Sequence, residues 1–224
     1  MPVTPGMLNS FIQLAATKFR FAEITLNFLN IPGKGKNIFT SSLRNNFILP
    51  LNRDYKTIHS HFHSDVKQSL KKTAKSSLEY KKSVQYNDAI ELYQRSYGSR
   101  FNISSREYVQ FKSLCAYYLE HKRLLVREVY EENELMAVAL LLKDKNRLYN
   151  IISCITSKGK RLLANYFLYN ELIREFATKD MVLDFEGSDL PGVAFFYRKF
   201  TNVNQQYPFI RYNLLPAPLK LLKP

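Results

Sequence analysis

The chain has 224 residues, 46% of them hydrophobic and 23% charged, enough for one large globular domain or two small ones. Lys and Arg total 33 against 19 acids, a net charge of +14; that field attracts polyanions such as nucleic acid, anionic lipid or a phosphorylated cofactor, or is simply a basic surface. Seven glycines and two cysteines exclude a Gly-rich phosphate cradle repeated along the chain and a disulfide framework.

The opening "MPVTPGMLNSF" lacks the basic and apolar regions of a signal peptide. No run of about 18 apolar residues occurs, so no spanning helix is expected, and the cytosol is the expected compartment. Residues 5–16 carry Leu8, Phe11, Ile12 and Ala15 at helical spacing. "FRFAEITLNF" (19–28) alternates as a strand does. "IPGKGKNIFTSSLRN" (31–45) reads as a loop, and "NFILPL" (46–51) as a short strand. Residues 54–77 read as helix, with Ser64 as a candidate N-cap. Lys67, Lys71 and Lys75, four apart and joined by Lys72, share one face. That row is either a solvated face or a phosphate-contacting one. His59, His61 and His63 alternate, but on a helix only His59 and His63 share a face, so no metal site is expected.

From residue 78 the elements are orderly. "SLEYKKSV" (77–84) is a strand, followed by helices at 86–98 and 104–122. The second helix opens on Ser104 or Ser105 with Glu107 close behind, near a capping box. Three strands, 123–130, 135–143 and 147–155, are joined by "EENE" and "DKN", turns too short for anything but antiparallel neighbours. The loop "TSKGK" leads to an amphipathic helix at 161–177, a strand at 180–186, a helix at 192–200 and a last strand at 206–215. The order β-α-α-β-β-β-α-β-α-β implies an α+β domain. Cys115 and Cys154 sit in apolar runs and read as core residues. No Walker loop, zinc-protease motif or nucleophile elbow is present.

That order resembles the GNAT acyltransferase fold, a mixed, mostly antiparallel sheet flanked by helices. "AFFYRKFTN" (194–202) resembles the family's late motif, an Ala with a Tyr three positions on, then a basic pair. "LDFEGSDLPGVAFFYRKF" and the basic segment "VKQSLKKTAKSSLEY" resemble the bacterial branch that contains the Fem-type (FemAB-like) peptidoglycan aminoacyltransferases. The resemblance covers roughly residues 54–224. It implies a partial GNAT-like unit over 1–53, basic connecting helices over 54–77 and a complete unit over 78–224. It also implies transfer of an acyl or aminoacyl group from a thioester or ester donor, acyl-CoA (acetyl-CoA among them) or aminoacyl-tRNA, to a small-molecule or peptide amine, without a metal.

The site residues follow from the same resemblance. Tyr197 would protonate the leaving group. Asp184 and Glu186, two apart on a strand and so on one face, would orient or deprotonate the amine, or else brace the turn together with Ser188. The strand "LYNIISCI", with Ile152 and Cys154, would offer backbone donors to the oxyanion. Ser157, Lys158, Gly159, Lys160 and Arg161 stand where the family's phosphate loop stands, with one glycine only. The alternative of another class is a non-catalytic basic binding module on a degenerate GNAT scaffold. An apolar face left exposed in residues 1–53 would favour a homodimer.

Overall fold

A computed structural model describes residues 3–33, 38–101, 103–186 and 189–223. Two compact units emerge, and neither is a single run of chain. One comprises Met1–Phe47, Gly187–Ala194 and Asn204–Pro224; the other Ile48–Glu186 and Phe195–Val203.

In the smaller unit, α1 (Pro5–Lys18) starts at Thr4, whose side chain accepts from the Met7 N–H, and buries Leu8 and Ile12. Strands β1 (Phe21–Thr25) and β2 (Thr40–Arg44) do not pair with each other. The last strand, β9 (Tyr207–Asn213), lies between them, antiparallel to both. The expectation of an unbroken loop over 31–45 is therefore corrected. β2 is exposed at four of its five positions, so it shows none of the apolar alternation that marks a half-buried strand. After β9 comes the short helix α9 (Ala217–Lys220).

The larger unit is a six-stranded sheet in the order β3-β8-β7-β6-β5-β4, formed by β3 (Ile48–Pro50), β4 (Glu79–Ser83), β5 (Leu124–Glu131), β6 (Glu134–Lys143), β7 (Arg147–Ile155) and β8 (Val182–Asp184). Every pairing is antiparallel except β7 with β8. Helices α4 (Tyr86–Phe101) and α5 (Ser105–Glu120) pack on one face, around Ile90, Cys115, Val126 and Leu140. α5 carries the capping box, with Ser104 and Glu107 exchanging bonds. Helix α7 (Ala164–Phe176) lies on the other face. Adjacent strand residues point to opposite faces, and Arg127 reaches Glu175 of α7 while the Glu128 carboxyl feels Asp88 of α4.

The expected single helix over 54–77 is two: α2 (Tyr55–Ser60) and α3 (Ser64–Thr73). The break has a local cause. His63, not Ser64, is the N-cap of α3, its Nδ1 accepting from the Asp65 N–H. Lys75 lies beyond the end of α3, and Lys67 donates to the Ser60 carbonyl at 2.7 Å, so the expected lysine row is shortened at both ends. "TSKGK" is not an open loop but carries the short helix α6 (Ser157–Arg161). Helix α8 (Pro191–Tyr197) ends three residues earlier than its apolar pattern suggests.

Candidate functional site

β7 and β8 pair through three residues only, Arg147 with Val182, Leu148 with Leu183 and Tyr149 with Asp184. Among the described residues no strand pairs with that edge of β7 from Asn150 to Ile155. β8 ends at Asp184 while β7 runs on to Ile155, and the space beside that open edge, the wedge, has backbone donors and acceptors along one wall.

A β-bulge sets which side chains of β7 lie on each face of the sheet. β6 and β7 slip register between Leu140, which faces Ile152, and Leu141, which faces Asn150; Ile151 is the extra residue. Without the bulge Asn150 and Ile152 would share a face. With it, Ile152 and Cys154 join the α4/α5 core, whereas Asn150 turns to the α7 side. There its Nδ2 donates to the Tyr169 hydroxyl at 2.9 Å and to the Tyr197 hydroxyl at 3.2 Å. Asn150 is 4% exposed and Tyr197 6%. The Asn150 Oδ1 is buried with no hydrogen-bond partner among the described residues, an uncommon and costly state. Burial pushes the Tyr197 phenol above its ordinary value, and hydrogen bonds with Tyr169 and Asn150 oppose that rise. Phe185 stacks on Tyr197 at 4.6 Å, and Phe196 and Phe200 complete an aromatic wall around Tyr169.

The other expected site residues divide. Asp184 is buried; its carboxylate accepts from Arg147 at 2.7 Å and from the Glu186 N–H at 2.9 Å. Both bonds brace the end of β8. Glu186 has a positive φ of 52°, an uncommon conformation for a residue with a side chain. It is exposed; what burial its carboxyl has, and then the Asp184 charge, push that carboxyl upward. Ser188 lies outside the described residues. Burial raises the Cys154 thiol to about 12 and Cys115 to about 11, so both are inert core groups, and Ile152 and Cys154 can offer a ligand only their backbone.

In the loop, Thr156 caps α6: its Oγ1 accepts from the Gly159 N–H at 2.9 Å and its carbonyl from the Lys160 N–H. Gly159 is there for close packing, since a Cβ on it would stand 2.2 Å from the Met136 carbonyl oxygen. Lys158 is ion-paired with Glu134 at 2.7 Å. Lys160 and Arg161 are exposed, with no carboxylate partner among the described residues. Two N–H groups and one lysine of this segment are thus engaged within the chain. Asn150, Tyr169 and Thr156 escaped the sequence reading, although Asn150 is the one amide in the apolar run "LYNIISCI". Among the described residues no group of three or more His, Cys, Asp or Glu side chains can hold a metal ion, and no helix is long and apolar enough to cross a membrane.

Residues 60–195 match the family model of the acetyltransferase (GNAT) domain. No curated protein matches the sequence significantly. Solved structures of similar fold include a conserved protein of unknown function from Bacteroides thetaiotaomicron VPI-5482, with a TM-score of 0.57 and 7% identity, covering 90% of this chain and 65% of that one. FemX superposes with a TM-score of 0.58 at 12% identity, over 95% of this chain and 70% of its own. L-PGS from Bacillus licheniformis does so with 0.51 at 10%, over 93% and 67%. The chain thus spans less than two thirds of the Bacteroides protein. At these identities the likeness is one of fold.

Proposed function

The chain belongs to the acetyltransferase (GNAT) domain family, and from that premise we propose that it moves an acyl or aminoacyl group from a thioester or ester donor to an amine. The observation that carries this reading is the end of β7–β8 pairing at Tyr149 and Asp184, beyond which β7 has an open edge among the described residues. The unpaired β7 edge supplies preoriented N–H groups for a tetrahedral oxyanion, which are worth most where water is excluded. Tyr197, buried on the α7 side of the same strand and hydrogen-bonded by Asn150, is the group proposed to give its proton to the leaving atom. A phenol that stays neutral well past pH 7 is matched to that task. Asp184 is assigned a positioning role, because Arg147 and the Glu186 N–H already occupy its carboxylate. Glu186 is left as the candidate base for the amine.

For the donor, the proposal favours an aminoacyl ester of tRNA over acyl-CoA. Its support is the engagement of the Gly159 N–H by Thr156 and of Lys158 by Glu134, together with a net charge of +14 suited to a large polyanion.

Thermal melting in the presence of acetyl-CoA, plain CoA or total tRNA tests the donor, because a ligand of the native state raises Tm by mass action. A rise with tRNA that fades steeply with salt is expected. A rise with the CoA compounds alone reverses the donor assignment. No rise with any of them, and no transfer, leaves a basic binding scaffold rather than an enzyme.

A further inference from the structure

A cavity in the larger unit lies beside β3. It measures about 870 Å³, within the range of small-molecule sites. Leu49 and Pro50 of β3 line it, with the segment after them, the turn between α2 and α3, and residues 198–203. β3 is the edge strand and β8 separates it from β7, so the β3 wall stands about 10 Å, two strand spacings, from β7, whereas Phe200 also packs on Tyr169.

Backbone bonds fix the walls. The Leu51 N–H donates to Met181, and the Thr178 N–H to Arg53. The His63 N–H donates to Lys199, and the Ile48 N–H to Val203. Thr201 closes the set, its hydroxyl donating to the Ile48 carbonyl at 2.8 Å. The cavity is therefore preformed and needs no closure to exist.

Its lining has two characters. Leu49, Ile58 and Phe200 close its base and are buried, and Pro50 and Val203 give its accessible apolar surface. Around it stand Arg53 and Arg198, both exposed, and neither guanidinium has a carboxylate partner among the described residues. The nearby acids are already committed: Asp54 caps α2 by accepting from the Thr57 N–H, and Asp65 pairs with Lys199 at 2.9 Å. The imidazoles add a donor. His63 Nδ1 accepts from the Asp65 N–H, which leaves the proton of a neutral ring on Nε2. His61 Nδ1 bonds the Thr57 carbonyl, so that ring carries its proton on Nδ1. Among the described residues no carboxylate lines the cavity.

Two guanidinium forks without a carboxylate partner among the described residues, an imidazole donor and an apolar wall describe the recognition of a tetrahedral, multiply charged oxyanion attached to an organic body. We propose that this cavity is a binding site for a phosphate monoester, held at the phosphate by Arg53 and Arg198 and at its organic part by the accessible Pro50 and Val203 side chains. It is independent of the reading of the β7–β8 wedge.

The test is calorimetric titration of the full chain with adenosine 5′-monophosphate, adenosine and inorganic phosphate. The monophosphate is expected to bind more tightly than inorganic phosphate, and adenosine not measurably. Arg53→Gln and Arg198→Gln are each expected to weaken the monophosphate at least tenfold with Tm unchanged, because both side chains are exposed and unpaired. Lys71→Gln, which removes an equal charge elsewhere, should change it less than twofold, and Tyr197→Phe not at all. No heat with the monophosphate at millimolar concentration overturns the proposal. So does equal weakening by Lys71→Gln, which would make the binding a general effect of net charge, or loss of binding in Tyr197→Phe, which would move the ligand to the wedge.

Discussion

The Asn150 carboxamide and the Tyr197 hydroxyl, 47 residues apart in the chain, meet at 3.2 Å beside the unpaired edge of β7. The bond exists only because the bulge at Ile151 turns Asn150 off the α4/α5 face.

Tyr197→Phe should reduce acyl transfer by a factor of about 10² to 10⁴, the usual worth of a positioned proton donor. It should cost only about 1 kcal/mol of stability, since Asn150 Nδ2 still has the Tyr169 hydroxyl. Single-turnover rates with the donor found by melting, alongside urea unfolding, check both. Undiminished turnover removes Tyr197 from the chemistry.

Gly159→Ala should destabilise the fold severely, by about 2 kcal/mol or more, the mark of overpacking against backbone. The added methyl would collide with the Met136 carbonyl at 2.2 Å, and that carbonyl already accepts from the Thr156 N–H. Urea unfolding measures the loss. A variant as stable as the parent would mean that this glycine serves a ligand rather than the packing of α6.

Glu175 links three basic or phenolic groups: Arg127 through two bonds of 2.7 and 2.8 Å, Tyr80 at 2.7 Å and Lys82 at 3.1 Å. Burial alone would raise its carboxyl, but the bonds from Arg127 and Tyr80 outweigh it and bring it to about 2, against an ordinary 4.5. A depressed folded value means stability that is full above the unfolded value and is lost as pH falls towards the folded one. The stake is roughly 3 kcal/mol, lost between about pH 5 and pH 2. Unfolding of the parent and of Glu175→Gln at pH 7, 4 and 3 should show their stability gap shrinking with acid. A gap that stays constant refutes the link.

Both thiols should resist a disulfide-exchange reagent at pH 8 while the chain is folded and react fully in denaturant, because the thiolate is the reactive form and burial holds the two at about 11 and about 12. Fast labelling of either cysteine in the native protein would show that the α4/α5 core opens readily.

Legibility followed the strength of local signals. The β5–β6–β7 meander was readable because its turns allow only antiparallel neighbours, and α5 because Ser104 and Glu107 form a capping box. β2 was not, because its side chains face solvent. The break between α2 and α3 was hidden because histidine is not an expected cap, though His63 caps α3 through its ring.

At the candidate site, the residue types around Tyr197 were legible but their partners were not. Pairing of Asn150 with two tyrosines depends on a one-residue slip that no periodicity announces. The same holds for the loop: "SKGKR" suggests phosphate by composition, whereas Gly159 is demanded by the Met136 carbonyl and Lys158 by Glu134.

The place of β9 between β1 and β2 constrains the order of events during synthesis. The first two strands leave the ribosome before β9 yet have no partner in each other; what both require is made later. Until residues 207–213 emerge, residues 21–25 and 40–44 present bare edges, the state most open to mispairing or capture by a chaperone. The six-stranded sheet has all its strands by residue 184 and can assemble sooner. Shortening the chain ahead of Tyr207 should thus leave a folded larger unit carrying an unzipped N-terminal arm.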